Sequence, residues 1–184
     1  MKLTIEEFAE HFQIRKLSKD ENIRDFDCGD EDLNEFLIKD APLYQKALLA
    51  NTYIIENKEN GSIGAYFSLA NDRIAIKDFP NNTEFNRFRR HRFVNEKRLT
   101  NYPAVKLCRF AVSDNVKGMS IGTFLLDYLK SWFVNDNRTG CRFITVDAYH
   151  DAEPFYLKNG FIYLTASDVD RSTRLMFFDL INIE

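Results

Sequence analysis

Apolar positions along the chain change their period several times, and each change marks an element. Residues 12–17, FQIRKL, alternate imperfectly, as a strand with one buried face does. Leu33, Phe36 and Leu37 then recur at i, i+3 and i+4, the spacing of one helix face, and an Asp just before them is placed to cap it. Pro42 opens a second short helix over about residues 42–50, where its fixed φ suits a first turn. Two runs rich in β-branched and aromatic residues, TYIIEN and IGAYFSLANDRIAI, flank the turn signal ENGS and predict a hairpin.

The second half returns to strands and helices in alternation. AVKLCRFAV is a strongly apolar strand, SDNVKG a turn, and Ile121, Phe124, Leu125, Tyr128, Leu129, Trp132 and Phe133 fall on one stripe of a long helix that must lie against a sheet. FITVDAY follows as a buried strand, then DAEPFYLKNG as a short helix with Gly160 at its C′ position, then FIYLTA and TRLMFFDLI as last strands. The alternation predicts the α/β class, as a mixed α+β sheet with at least one parallel pair. No repeat or linker divides the chain, so residues 1–184 are expected to form a single domain.

Composition narrows the class. Hydrophobic residues make up 45% of 184, and 17 Phe with 8 Tyr supply enough apolar surface for a core, which excludes disordered and disulfide-dependent classes. A net charge of -3 gives no global field for polyanions, so any nucleic-acid contact must be local. One block qualifies: RFRRHRFVNEKR at residues 87–98 sets six Arg/Lys against one Glu, with Phe88 and Phe93 as anchors. It is equally what a solvated connection looks like. Three widely spaced cysteines without a CxxC, and three histidines, predict no metal site and a reducing compartment. The acidic start has no leader pattern, and no window approaches 18 apolar residues, so a cytoplasmic protein without a membrane segment is expected.

Chemistry concentrates at residues 105–122, where an apolar strand runs through a glycine-punctuated turn into the long helix. The first amides of a helix have no intrahelical acceptor and sit at the positive end of its dipole, so they form an anion site. Gly118, Ser120 and Gly122 are small enough for close approach, and Lys117 adds a charged donor. The spacing fits neither G-x-G-x-x-G nor G-x-x-x-x-G-K-[ST]. A tight strand-to-helix turn needs the same glycines for its own geometry. About 30 residues on, AEPFYLKNGF at residues 152–161 follows the next strand, so both segments border the ends of adjacent parallel strands, where α/β ligand sites form. Cys108, with no His in its stretch, reads as a small buried apolar residue.

The order of strand, K-G-M-S-I-G turn, amphipathic helix, strand and A-x-x-F-Y-x-x-x-G-F resembles the GNAT superfamily of acyl-CoA-dependent N-acetyltransferases. F-D-C-G-D-E-D-L-N-E-F-L at residues 26–37 resembles the subgroup of bacterial toxins that acetylate aminoacyl-tRNA. The similarity runs from Phe12 to about Phe178. The superfamily's pyrophosphate loop commonly reads [QR]-x-x-G-x-[GA]; Lys117, beside Gly118, and Ser120 depart from it, and Gly122 matches its last small position. The resemblance implies a GNAT-like fold whose parallel strands splay apart between flanking helices.

It also implies acetyl-CoA, its pyrophosphate on Lys117, Gly118, Met119, Ser120, Ile121, Gly122 and Thr123 and its pantetheine arm along Phe110, Ala111 and Val112. An amide of Phe110 or Ala111 then polarises the thioester carbonyl, and Tyr156 serves as the acid for the departing thiol. An α-amine titrates near about 8 and a lysine near about 10.4, so an α-amine acceptor needs less help from a base. Asp147, Asp151 and Glu153 are loose candidates for that base. Arg89, Arg90, Arg92, Lys97 and Arg98 become candidates for gripping tRNA phosphates, and a ribbon-helix-helix antitoxin a candidate partner. Two other readings stay open: acetylation of a protein N-terminus or small amine, and a catalytically inactive acyl-CoA-binding or interaction domain. Oligomeric state, including a homodimer, is not encoded in any motif.

Overall fold

Thr4 begins the first helix with a reciprocal cap: its hydroxyl accepts from the Glu7 amide at 3.2 Å while its own amide donates to Glu7 Oε2 at 2.9 Å. This helix, α1 (Ile5–His11), went unread in the apolar pattern because Phe8 alone is buried on it. The computed structural model describes residues 3–90, 92–93, 99–136, 139–169 and 171–183. The remaining elements are β1 (Phe12–Lys16), α2 (Glu31–Glu35), α3 (Ala41–Lys46), β2 (Asn51–Asn57), β3 (Ile63–Ala75), α4 (Asn82–Arg89), β4 (Asn101–Val112), α5 (Ile121–Asn135), β5 (Phe143–Tyr149), α6 (Glu153–Lys158), β6 (Ile162–Tyr163) and β7 (Thr173–Asp179).

The strands form a seven-stranded mixed sheet in the order β1-β2-β3-β4-β5-β7-β6. Pairs β1/β2, β2/β3, β5/β7 and β6/β7 are antiparallel. The β4/β5 pair is parallel, as the alternation predicts, over Ala104↔Phe143 to Lys106↔Thr145. Among the described residues no helix is long and apolar enough to cross a membrane.

The chain packs into two compact units, each discontinuous in sequence. One comprises the chain up to Ala70 with Leu107–Leu129, the other Asn71–Lys106 with the chain from Lys130 onward. The first unit is built on Leu17, Ile23, Phe26, Phe36, Leu37, Ile54, Tyr66 and Ala111, with Phe8 stacked on Phe124 at 4.3 Å. The second is built on Ile74, Phe79, Phe85, Tyr102, Phe143 and Phe177, with Phe88 and Phe93 packed on it. Phe93 lies flat on Tyr102 with centroids 3.7 Å apart.

Three elements differ from the sequence reading for local reasons. The second short helix is continuous with the first through a π turn at Phe36–Asp40, where the Ala41 amide reaches back to Phe36 O. That wider turn falls directly ahead of Pro42, whose ring would crowd a preceding carbonyl in a regular ladder. The helix stops at Lys46, and Leu48 sits left-handed at φ 58. FIYLTA keeps two strand residues, since Thr165 turns the chain by accepting the Ser167 amide at 3.2 Å. On α5, Tyr128 is exposed, while Leu126 and the stem of Lys130 are buried.

Candidate active site

The turn opening α5 is set from β4 outward. Ser113, buried at the strand end, donates its amide to Gly64 O at 2.8 Å, and a 3-10 turn follows over Asp114–Val116. Gly118 at φ +87 and Ser120 at φ +61 are both left-handed, separated by Met119. Two left-handed residues this close together bend the backbone sharply just ahead of α5. A Cβ on Gly118 would meet nothing within 4 Å, so its space is open. Ile121, Gly122 and Thr123 are the first residues of α5, and their amides have no acceptor within the helix. Ser120 occupies a backbone region that glycine adopts without cost. Lys117 does not extend toward the cradle: its ammonium donates to Cys28 O at 2.8 Å and pairs with the Asp114 carboxylate.

Upstream on β4, Ala111 is buried while Phe110 and Val112 are partly exposed. Arg109 lies over the Phe36 ring at 5.0 Å and donates to Cys108 O at 3.0 Å. Cys108 is partly buried and Cys28 fully so.

In the second unit Tyr156 sits mid-helix on α6, a single turn and a half begun by Pro154 and ended by Gly160 at φ +81. A Cβ on Gly160 would press to 3.1 Å from the Phe178 ring, so this turn requires glycine for space as well as conformation. Lys130, buried from α5, donates to Asn159 O at 2.8 Å and covers the Phe178 ring at 4.4 Å, which caps the negative end of α6. The Tyr156 ring meets Phe155 and Phe161 edge-on at 5.3 and 5.4 Å. Burial pushes the Tyr156 phenol well above its ordinary value, so at neutral pH it is fully protonated.

The acids near this helix are engaged. Asp147 pairs with Lys106. Glu153 accepts from Tyr163 Oη at 2.5 Å and faces His150 Nδ1 at 2.5 Å, and these bonds hold its carboxyl below the usual range. Asp151 is exposed. His150 also reaches Arg171 O at 2.7 Å through Nε2. No periodicity marks His150, Lys130 or Arg142; Asn159 and Asp179 lie 29 and 37 residues from Lys130 and Arg142, and His150 joins the nearby Glu153 to a carbonyl 21 residues on.

The basic block is divided. Arg89 ends α4, stacks on Phe85 at 5.2 Å and donates to Leu99 O at 3.3 Å. Arg90 is exposed. Arg92 folds back over Phe88 at 5.0 Å and binds the buried Asp179 at 3.1 Å, a carboxylate it shares with Arg142. Lys97 and Arg98 lie outside the described residues. Among the described residues no cluster of His, Cys, Asp or Glu is placed to hold a metal.

Residues 92–176 match the family model described as an acetyltransferase (GNAT) domain. That stretch, a little under half of the chain, is similar to a GNAT acetyltransferase domain. The match contains the whole of β4, the cradle turn, α5, β5 and α6 with Tyr156. The turn before α5 has open space beside Gly118, and the first amides of α5 have no acceptor within the helix, as an anion site requires.

Solved structures share its fold over nearly the full length. A tyrosine-to-phenylalanine mutant of KacT has a TM-score of 0.73 at 22% identity, with 93% of this chain and 96% of that chain covered. AtaT complexed with acetyl-methionyl-tRNAfMet gives 0.72 at 22% identity, covering 94% and 96%. A tyrosine-to-phenylalanine mutant of the AtaT toxin, bound to the C-terminus of the antitoxin AtaR and acetyl-CoA, gives 0.69 at 21% identity, covering 92% and 94%. No curated protein matches the chain in sequence.

Proposed function

We propose that this chain transfers the acetyl group of acetyl-CoA to the α-amine of an aminoacyl-tRNA, as a toxin restrained by a small antitoxin. The observation that carries the reading is the pair of left-handed residues, Gly118 and Ser120, directly ahead of the first α5 amides, which have no acceptor within the helix. The AtaT complex with acetyl-methionyl-tRNAfMet, of the same fold, supports the acceptor, and the AtaR complex supports the antitoxin.

Acetyl-CoA supplies the acyl group already activated as a thioester. The amides of Gly118, Ile121, Gly122 and Thr123 hold its diphosphate, with Met119 and Ser120 shaping the turn. The edge of Phe110, Ala111 and Val112 pairs with the pantetheine arm, and an amide there draws charge onto the carbonyl oxygen. Tyr156 keeps its proton at Oη and presents it to the sulfur as the carbon–sulfur bond breaks and the carbon–nitrogen bond forms. Its raised pKa makes the phenol a hydrogen-bond donor that stabilises charge late in the reaction, more than a ready source of free protons. The acceptor gives up one proton from nitrogen to solvent, and the departing thiolate takes the Tyr156 proton, which solvent then restores to the phenol. With Asp147 and Glu153 engaged by Lys106, His150 and Tyr163, an acceptor amine that is partly neutral near pH 7 fits best. Arg89 and Arg90, with Lys97 and Arg98, provide the phosphate contacts, whereas Arg92 serves Asp179.

Mass spectrometry of charged tRNA incubated with acetyl-CoA and the protein tests the reading. The expected product is acetyl-aminoacyl-tRNA, formed about a hundredfold more slowly by Tyr156→Phe, the usual scale of one general acid. Acetylation confined to peptide N-termini or small amines would replace the acceptor. No acetyl transfer to any amine would overturn the activity.

A further inference from the structure

The acidic motif at residues 26–37 has no part in the chemistry above, yet it meets the cradle directly. Within the first unit Asp114 donates its amide to Asp27 O at 3.0 Å, and the Lys117 ammonium donates to Cys28 O at 2.8 Å while pairing with Asp114. Gly29 passes so close that a Cβ there would lie 3.5 and 3.6 Å from the Asp114 carboxylate oxygens and 3.6 Å from Lys117 Nζ. Its φ of +80 independently favours glycine.

The motif is itself firmly tied. Asp27 Oδ1 accepts from the Gly29 amide and from Asn34 Nδ2, both at 2.9 Å, which holds the carboxyl below its ordinary range. Asn34 Oδ1 in turn accepts from the Cys28 amide at 3.0 Å, and Asp30 caps α2 through the Leu33 amide at 3.1 Å. Phe26, Cys28, Phe36 and Leu37 are buried in the same core as Ala111 of β4. One platform therefore supports both the strand edge and the turn that follows it.

We infer that Lys117 is a positioning residue: it braces the cofactor turn against residues 27–29 and leaves the diphosphate to the backbone amides. The inference rests on the proposed acetyl-CoA reading and goes beyond it by giving the basic residue at the head of the loop a task other than phosphate contact. Asp114 decides between the two tasks. If Lys117 touched phosphate, Asp114 would compete for its charge; in a brace, Asp114 is a partner.

The test is a double-mutant cycle on the full chain with Asp114→Asn, Lys117→Met and the double variant, read as KM and kcat for acetyl-CoA. Each single variant is expected to raise KM about three- to tenfold, the range of one half-exposed charge-assisted hydrogen bond, with kcat at saturation unchanged. The double variant is expected to do no worse than either single. With acetyl-pantetheine as donor, which has no diphosphate, all four proteins should give the same kcat/KM, an outcome that general destabilisation would not produce. Lys117→Arg keeps the donor and should stay within about twofold of wild type. Unchanged or tighter use of acetyl-CoA by Asp114→Asn, additive losses in the double variant, or equal losses with acetyl-pantetheine would each overturn the brace. Failure of the wild-type chain to use acetyl-CoA would instead overturn the proposed function.

Discussion

His150 shows how one side chain outside any motif holds an element that matters. Its two ring nitrogens face the Glu153 carboxylate and the Arg171 carbonyl, an arrangement that only the imidazolium satisfies at both ends. The Glu153 bond raises its pKa most and the Arg171 carbonyl adds to this, while desolvation and, less, Arg174 oppose it. A raised pKa means that the folded state binds the proton more tightly than the unfolded one. The stabilisation is therefore complete below the ordinary value of about 6.5 and fades as pH climbs through the folded value. Melting curves of wild type and His150→Gln should differ most in mildly acidic buffer and converge in alkaline buffer. A gap independent of pH would refute the protonated bridge.

At the scale of elements, the two left-handed glycines of the candidate site separate space from conformation. Gly118 has open space at its missing Cβ and Gly160 has an aromatic ring at 3.1 Å. Gly118→Ala should cost about 1 kcal/mol, from backbone strain alone. Gly160→Ala adds a clash in a packed core and should cost roughly 2–4 kcal/mol, which denaturant unfolding resolves. Equal costs would contradict this assignment. The same turns show what was legible in the chain beforehand. Gly118 and Gly160 announce their turns, and the apolar stripe starting at Ile121 announces α5, because turn chemistry and periodicity are local signals. Other features were hidden. Tyr128 was read on the buried stripe and is exposed, since burial of Leu126 and Lys130 rotates the covered face. Lys117 reads as a loop cation, and only the approach of Cys28, 89 residues away, shows where its charge goes. The Arg92–Asp179 pair spans 87 residues and is equally invisible to spacing, although it removes an arginine from the exposed block.

For the whole molecule, a net charge of -3 supplies no diffuse field for a polyanion, so the proposed tRNA contact would rest on a few residues. Arg89→Glu with Arg90→Glu should weaken tRNA binding and lower the salt slope of log K by about 1.5, near 0.7–0.9 per lost phosphate contact. Acetyl-CoA affinity should not change. An unaltered slope would remove these arginines from the interface. The two compact units divide the labour of the account: the turn of Gly118 to Thr123 with its platform at residues 26–37 lies in the first, and Tyr156 on its capped helix lies in the second. The claim on which the rest stands is that the amides of that turn hold the diphosphate. NMR titration of the isotope-labelled chain with acetyl-CoA reads those amides one by one. The account predicts that the signals of Gly118, Ile121, Gly122 and Thr123 shift most and saturate together, and that acetyl-pantetheine leaves them in place. Saturable binding that leaves these four signals unmoved would contradict it.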